Sequence, residues 1–504
     1  MLAPDDVYDV SDLVKADAER ILSAERSTPP IPISGVKSNV VECDSDFLVR
    51  GEGTHSLPPP PPSSSKRSSS SPLSLCASPP WRTCRSIFHG FFTTALIVAV
   101  LSLSLLHADD EIIIQEEERE VAKLEHKSLP PSGKTLQSLA FGSCSDQRYP
   151  QPFWDTVAND SPDLFVMMGD NVYGNCESES SCNNLLEAYE RLAAHPSFVG
   201  AQQLLPIVAT LDDHDYGATD ADGSNVHKDL ALHAFHNFWH GGLRKGDVRA
   251  GRSGAYDSYM YGRHNERVQL ILLDTRYDRD AFVPTDELGA RGKENYVEYI
   301  GPSAEEGGKR ILSEQQWSWL EMKLKEPATV RVLVSSIQVI ADGHGFECWR
   351  MIPQERNRLY SLLRSTSGTT VIISGDRHLG AVYHYEDHAE HVNITDSGGG
   401  RLRSLDQSKT TPWSVYEITS SSLTHTWGED ASCKNNCDEV DPRRIGPMIR
   451  TNNYGLLEFD WDKKEILATL RKTDTSPHHV FENGKRGSDA GTELAKQVIP
   501  IISD

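Results

Sequence analysis

Cysteine is scarce in this chain, with nine in 504 residues, which excludes a disulfide-built scaffold of the small secreted kind. Two close pairs, Cys176 with Cys182 and Cys433 with Cys437, stand in polar, loop-like sequence and are placed to close as local bridges. Positive charge is also short. Fifty lysines and arginines face 73 acids, a net charge of −23, and such a surface repels phosphate backbones. General nucleic-acid affinity is therefore not expected. A small phosphorylated molecule is still admitted, because a bound cation inverts the local field. There is no internal repeat, and nothing in the sequence points to a protein partner.

Long apolar runs are nearly absent too. The exception is Ile87 to Leu106, apolar or small apart from His89, which matches the roughly 20 residues needed to cross a bilayer as a helix. Lys66, Arg67, Arg82 and Arg85 precede it, while Asp109, Asp110, Glu111 and the Glu116 to Glu120 cluster follow. The basic flank belongs on the cytoplasmic side, so the carboxyl-terminal bulk is expected to be lumenal or extracellular. Residues 1–86, rich in serine and proline, read as a disordered cytoplasmic tail. Residues 87–106 read as an uncleaved signal anchor, because a cleavable leader starts close to the amino terminus. An acidic stem fills 107–130, and a folded domain is expected over 131–504. On this topology Asn393-Ile394-Thr395 is a usable glycosylation acceptor, and Asn159-Asp160-Ser161 a poorer one.

What the chain does have is six short apolar runs that each stop at a polar cluster. They end at Cys144, at Asp170 with Tyr173, at Asp212 to Asp215, at Asp274 with Arg276, near Gln338, and at Asp376 with His378. A continuous apolar run suits a parallel strand buried on both faces, and open α/β sheets bind ligands beyond the carboxyl ends of such strands. Helix-like segments alternate with the runs: Leu185 to Ala194, Ser313 to Lys325 with Ser313 as cap and Gln316 three residues on, and Gln354 to Arg364. The pattern predicts α/β layers. Beyond Arg401, Val415 to Thr419, Gly455 to Trp461 and Glu465 to Lys472 read as short strands, read as a second sheet of the same domain.

The clusters differ in how strongly they point to chemistry. Gly169-Asp170-Asn171-Val172-Tyr173 puts a carboxylate and a phenol three positions apart, and reads equally as half of a cation site or as a tight turn that caps a helix. Asp212-Asp213-His214-Asp215 crowds three carboxylates around one imidazole, which favours a cation or strong hydrogen bonds over a solvated loop. Asp376 and His378, at i and i+2 in an extended loop, can reach one site. Cys144 alone is more often a small buried hydrophobe. Arg276 can pair bidentately with a phosphoryl group, although an ion pair is the commoner use.

From about Phe141 to Trp427 the chain resembles the PhoD-like alkaline phosphatases of the calcineurin-like metallophosphoesterase superfamily. The matching segments are Phe141-Gly142-Ser143-Cys144, Pro150-Gln151-Pro152, Gly169 to Tyr173, Asp212 to Gly217, Leu273 to Tyr277, Ser374 to His378 and Tyr416 to His425. The resemblance implies a four-layer αββα sandwich and a two-metal hydrolase of phosphomonoesters, with diesters as a further substrate class. It implies that Asp170 bridges two ions, that Cys144 and Tyr173 ligate an iron-like one, and that Asp213, Asp376 and His378 surround the pair. His214 would donate to the phosphoryl or leaving-group oxygen, Asp215 would orient it, and Arg276 would meet the phosphoryl oxygens. Asp213 falls where the superfamily has Asn and Asp376 where it has His. These departures enrich the site in oxygen donors, so Fe(III) with Ca²⁺ is expected rather than two zinc ions. The superfamily's isolated His ligand has no counterpart beyond nearby Gln338, while His344 and His425 are weaker candidates for the cleft. A different class of protein also fits the acid clusters, a calcium-binding ectodomain without turnover; Tyr173, His214 and Arg276 favour the enzyme.

Overall fold

The computed structural model describes residues 127–176, 178, 180–286, 295–387, 413–426, 439–473 and 489–502. The tail, the apolar segment, nearly all of the stem, Cys433 with Cys437 and Asn393 lie outside the described residues. Among the described residues no helix is long and apolar enough to cross a membrane.

The strands, in chain order, are β1 (Ser138–Gly142), β2 (Leu164–Met168), β3 (Ile207–Thr210), β4 (Asp257–Tyr261), β5 (Val268–Leu272), β6 (Val283–Pro284), β7 (Tyr296–Val297) and β8 (Val330–Ser335). They continue with β9 (Thr369–Ser374), β10 (Gly380–Asp387), β11 (Trp413–Ser420), β12 (Arg444–Ile449), β13 (Asn453–Asp460), β14 (Glu465–Lys472) and β15 (Glu493–Pro500). The helices are α1 (Phe153–Asp160), α2 (Asn183–Ala193), α3 (Pro196–Leu204), α4 (Asp213–Tyr216), α5 (Lys228–His240), α6 (Glu314–Leu324) and α7 (Pro353–Arg364).

Two large sheets result. One has the order β15-β14-β13-β1-β2-β3 and the other β12-β10-β11-β9-β8-β5-β4, while β6 and β7 form a small ribbon. Strands β1, β2 and β3 run parallel, as do β5, β8, β9 and β11. Successive residues of a strand face opposite sides, and here both sides are covered. Phe141, Val166, Leu272, Val334 and Ile373 meet in an apolar layer between the two sheets. Ala140, Phe165 and Met167 pack outward against α1, α2, α3 and α5 through Trp154, Leu185, Phe198 and Phe235. Ile271, Leu333 and Ile372 pack outward against α6 and α7 through Trp317, Leu320 and Leu359. Each of the larger side chains contributes roughly 1.5–3 kcal/mol by leaving water, and double coverage is why these strands read as unbroken apolar runs.

The strand pieces beyond residue 401 do not make one sheet. β11 joins β9 in parallel, Tyr416 opposite Val371, whereas β13 joins β1 antiparallel, Leu456 opposite Ala140. The expected strand over Thr329 to Ile340 also ends early, at Ser335. Ile337, Val339 and Ile340 are buried in the helix-side core from a loop that turns away from the sheet. Helix α6 starts as its sequence dictates, with Ser313 Oγ accepting from the Gln316 amide at 3.3 Å.

Candidate metal centre and active site

The polar clusters follow β1, β2, β3, β5, β8 and β9, all at carboxyl ends, and three of them bend sharply. Cys144, Asp170, Asp376 and His378 have φ values of 60°, 49°, 71° and 50°. This left-handed region costs a side-chain-bearing residue on the order of 1–2 kcal/mol, and strain of this kind gathers at functional sites. Glycine precedes two of these turns for steric reasons. A Cβ on Gly169, where φ is 103°, would lie 2.4 Å from Asp212 Cβ, and one on Gly375 would lie 2.6 Å from Ser143 Oγ.

Asp170 is the hub. Tyr173 Oη donates to its Oδ2 at 3.1 Å, Cys144 Sγ donates to the same oxygen at 3.5 Å, and the His214 amide donates to Oδ1 at 3.3 Å. His378 Nε2 lies 3.1 Å from Tyr173 Oη. Cys144, Asp170 and His378 therefore offer donor atoms within 4.8 Å of one another, as do Asp170, Asp213 and His214. Burial pushes the Asp170 carboxyl well above the usual range, helped by repulsion from Asp213, Asp212 and Asp215. Burial likewise raises the Cys144 thiol and the Tyr173 phenol, and lowers the His378 imidazole. These shifts describe donors that burial keeps neutral, and a cation among them would favour the ionised carboxyl, thiol and phenol.

The Asp212-Asp213-His214-Asp215 segment forms α4, a single turn after β3. Burial opposes ionisation of Asp213, yet His214 and Arg276 outweigh it and hold the carboxyl below the usual range. The backbone amides of His214 and Asp220 donate to its two oxygens at 2.9 and 2.7 Å. Asp215 was expected to orient His214 and is placed otherwise. It is fully buried and accepts from the amides of Asn171, Val172 and Asp212 at 3.0 to 3.2 Å, tying the β2 and β3 loops together. The partner of the His214 ring is Asn175, whose Oδ1 lies 2.8 Å from Nδ1. Asn175 in turn precedes Cys176, which is disulfide-bonded to Cys182 as the spacing suggested. The Cys176 amide donates to the Gly217 carbonyl at 2.7 Å, pinning this loop to the end of α4.

Arg276 also departs from expectation. It is fully buried and does not line the cleft; its Nε donates to Asp212 at 2.5 Å and its Nη1 to Glu347 at 2.5 Å, with Asp376 3.8 Å from Nη2. Arg279 closes the network on Glu347 at 2.6 Å. The arginine is thus a counter-ion beneath the carboxylates, and an ion pair won over a phosphate contact. Removing it strands buried charges, so Arg276→Met is expected to cost about 3–5 kcal/mol of stability. Urea denaturation at neutral pH measures this, and a variant as stable as the parent would contradict the counter-ion role.

This network decides which acid groups suit a metal. Asp212, Asp213 and Asp376 lie within ligand reach of one another, as do Asp213, Asp220 and Glu347. Both of these groups already receive positive charge from Arg276 or Arg279. Asp170, shared by the Cys144 and His214 groups, has no Lys or Arg side chain bonded to it, so it is the carboxylate that an added cation would most directly neutralise.

A model of the PhoD-like phosphatase family matches residues 139–470, spanning all of these strand ends. The chain belongs to the PhoD-like phosphatase family. Membership makes it a phosphoric-ester hydrolase of a metal-dependent family, in keeping with the buried Asp, Cys and His groups. Among solved structures it is similar to PhoD, at 17% identity over 74% of this chain and 70% of that one, with a TM-score of 0.48. It is also similar to a 5'-nucleotidase from Candida albicans, at 13% identity over 51% and 45% of the two chains, TM-score 0.27. A putative 5'-nucleotidase from Staphylococcus aureus matches at 11% identity over 73% and 55%, TM-score 0.28. Comparison with curated proteins gives no match.

Gln338 does not replace the missing imidazole. Its amide is occupied, donating to Thr419 at 2.8 Å and accepting from His344 at 2.8 Å, so both residues belong to a buried network. His425 does adjoin the PhoD-like centre, with its ring 4.3 Å from His378 and 5.2 Å from Tyr173. Three residues at the site, Asn175, Glu347 and Arg377, were not singled out by the sequence reading, and Asp220 reads there only as part of a solvated loop. Only Arg377 carried a signal, as the residue between Asp376 and His378.

Proposed function

We propose that this PhoD-like domain hydrolyses phosphomonoesters, and phosphodiesters as a further class, at a centre held by Cys144, Asp170, Tyr173, Asp213, Asp376 and His378. The observation that carries the reading is the convergence of these six side chains with His214 at the ends of strands from both sheets. The phenolic oxygen of Tyr173 beside Asp170 suits Fe(III), and the carboxylates around Asp213 suit Ca²⁺. A bound cation pair supplies neutralisation of phosphoryl charge and acidification of the attacking water.

The chain's own residues do the rest. His214 delivers a proton to the leaving oxygen, held at Nδ1 by Asn175 so that Nε2 is the transferring atom. Arg276 and Asp215 fix the carboxylates and the loops that carry them. Arg377 is the guanidinium that lines the cleft. Its Nη2 is anchored on Glu439 at 2.5 Å, and its buried Nη1 has no hydrogen-bond partner, so it takes the phosphoryl-facing role first expected of Arg276. The span at Ile87 to Leu106 anchors the domain on the exoplasmic face of a membrane, a reading supported by the charge asymmetry of its flanks.

Phosphate release from a monoester and alcohol release from a diester by the purified chain test the reading, and no hydrolysis of either would refute it. Within it, Asn175→Ala is expected to lower kcat roughly tenfold, the weight of one hydrogen bond in the transition state, with KM little changed. Steady-state kinetics would expose an error here as an unaltered kcat.

A further inference from the structure

Two cavities meet at His214. One, of about 170 Å³, is lined by Asp170, Asp213, Asp376 and His378, and is the cleft described above. The other, of about 320 Å³, shares His214 but, Tyr173 apart, none of the candidate ligands; Arg148, Arg191, Asn175 and Glu187 are among its walls. A group that protonates a leaving oxygen stands between the phosphorus and the remainder of the alcohol. The cavity that shares this residue with the cleft, yet lies off the ligand cluster, is therefore where the alcohol extends.

Resting on the phosphatase reading, we propose that this second cavity receives the leaving group, and that the preferred leaving group carries an anion of its own, a carboxylate or a second phosphate. In a chain with a net charge of −23 the wall presents two guanidinium groups and one carboxylate. Arg148 is held in place: its Nε and Nη2 grip Asp146 at 2.9 and 2.6 Å. Asp146 is itself 2% exposed, and its amide donates to Thr424 Oγ1 at 2.9 Å. The Arg148 side chain is nonetheless 58% exposed, so its outer edge meets the cavity and solvent. Arg191 makes only a long 3.4 Å contact with Glu187 and is 61% exposed.

Two of the three amides on the wall have clear partners. The Gln147 side chain spans the Tyr173 backbone, donating to its carbonyl at 3.0 Å and accepting from its amide at 2.8 Å, and Asn175 Oδ1 holds His214. The spare capacity is guanidinium N–H, which matches carboxylate and phosphate oxygens better than neutral hydroxyls. Hydrolysis itself is unaltered by this contact. The ester P–O bond breaks, the water oxygen joins phosphorus, and the alcohol leaves with the proton from His214, its second anion taking no part.

Three esters on one carbon skeleton test the proposal with the metal-loaded full chain: glycerol phosphate, phosphoglycerate and glycerol bisphosphate, with an aryl phosphate as reference. The expected kcat/KM is roughly tenfold or more higher for an anionic leaving group than for glycerol phosphate, the scale of a hydrogen bond to a charged group. Whether the carboxylate or the second phosphate gains more identifies the source. In Arg191→Gln and in Arg148→Gln, which sit on separate elements, that advantage is expected to shrink toward unity, mainly through KM. A wild-type chain with no preference, or variants that lose all three esters equally, would overturn the proposal. Absence of turnover on every ester, the aryl phosphate included, would instead remove the phosphatase reading and the proposal with it.

Discussion

Asp170→Asn is expected to lower phosphoester turnover by on the order of 10³-fold, the scale on which loss of one preorganised electrostatic group acts. The carboxylate belongs to both of the groups best suited to hold cations, and the isosteric amide removes its charge while setting an N–H₂ against the donors Tyr173 Oη and Cys144 Sγ. Stability should move the other way. Asp170 is buried, repelled by Asp213, Asp212 and Asp215, and holds φ at 49°, a conformation asparagine tolerates well. The chelated variant is therefore expected to melt above the chelated parent, the trade-off of a site built for function rather than stability. Kinetics beside thermal denaturation of the metal-free proteins reads both effects, and a variant that keeps full turnover would disprove the hub role.

His214→Ala is expected to retain the fold and to lose about 10²- to 10⁴-fold in kcat, the usual contribution of a positioned proton donor. The half-buried ring stacks on Tyr173 at 4.2 Å and holds Asn175, and neither contact supports the core. Because His214 Nε2 or Nδ1 also lies within ligand distance of Asp170 and Asp213, the loss has two possible origins with different signatures. A proton donor matters most for a poor leaving group, so an aryl phosphate should lose much less than an alkyl phosphate while metal content stays at the parent's level. Equal losses on both esters, with metal depleted, would make His214 a ligand instead.

The strands that place the site were legible because they are buried on both faces, and a doubly covered strand writes itself as an apolar run ending at a polar cluster. Short-range chemistry was legible too: Asp170 with Tyr173, and Asp376 with His378, sit together on one turn. Pairing across the chain was not. That β11 lies against β9 while β13 lies against β1 is a long-range pairing that neither segment's alternation encodes. Arg276 was misread for the same reason, since its partner Glu347 lies 71 residues away and nothing local distinguishes a buried counter-ion from a phosphate clamp. The resemblance gave Asp215 the imidazole, but on a one-turn helix its carboxylate turns back to the amides of Asp212 and Asn171. Asn175, an ordinary loop asparagine by sequence, reaches His214 because the Cys176–Cys182 disulfide and the Gly217 carbonyl hold its loop there.

The strand-end cluster is expected to hold metal ions and to use them to hydrolyse a phosphate ester. Elemental analysis of the purified chain, with phosphate release from a monoester followed before chelation, after it and on re-addition of metal, tests this most directly. The expected result is bound iron with calcium, turnover that disappears on chelation, and turnover that returns with metal. Metal bound at full occupancy with no release from any phosphate ester would contradict it and leave a calcium-binding ectodomain in its place.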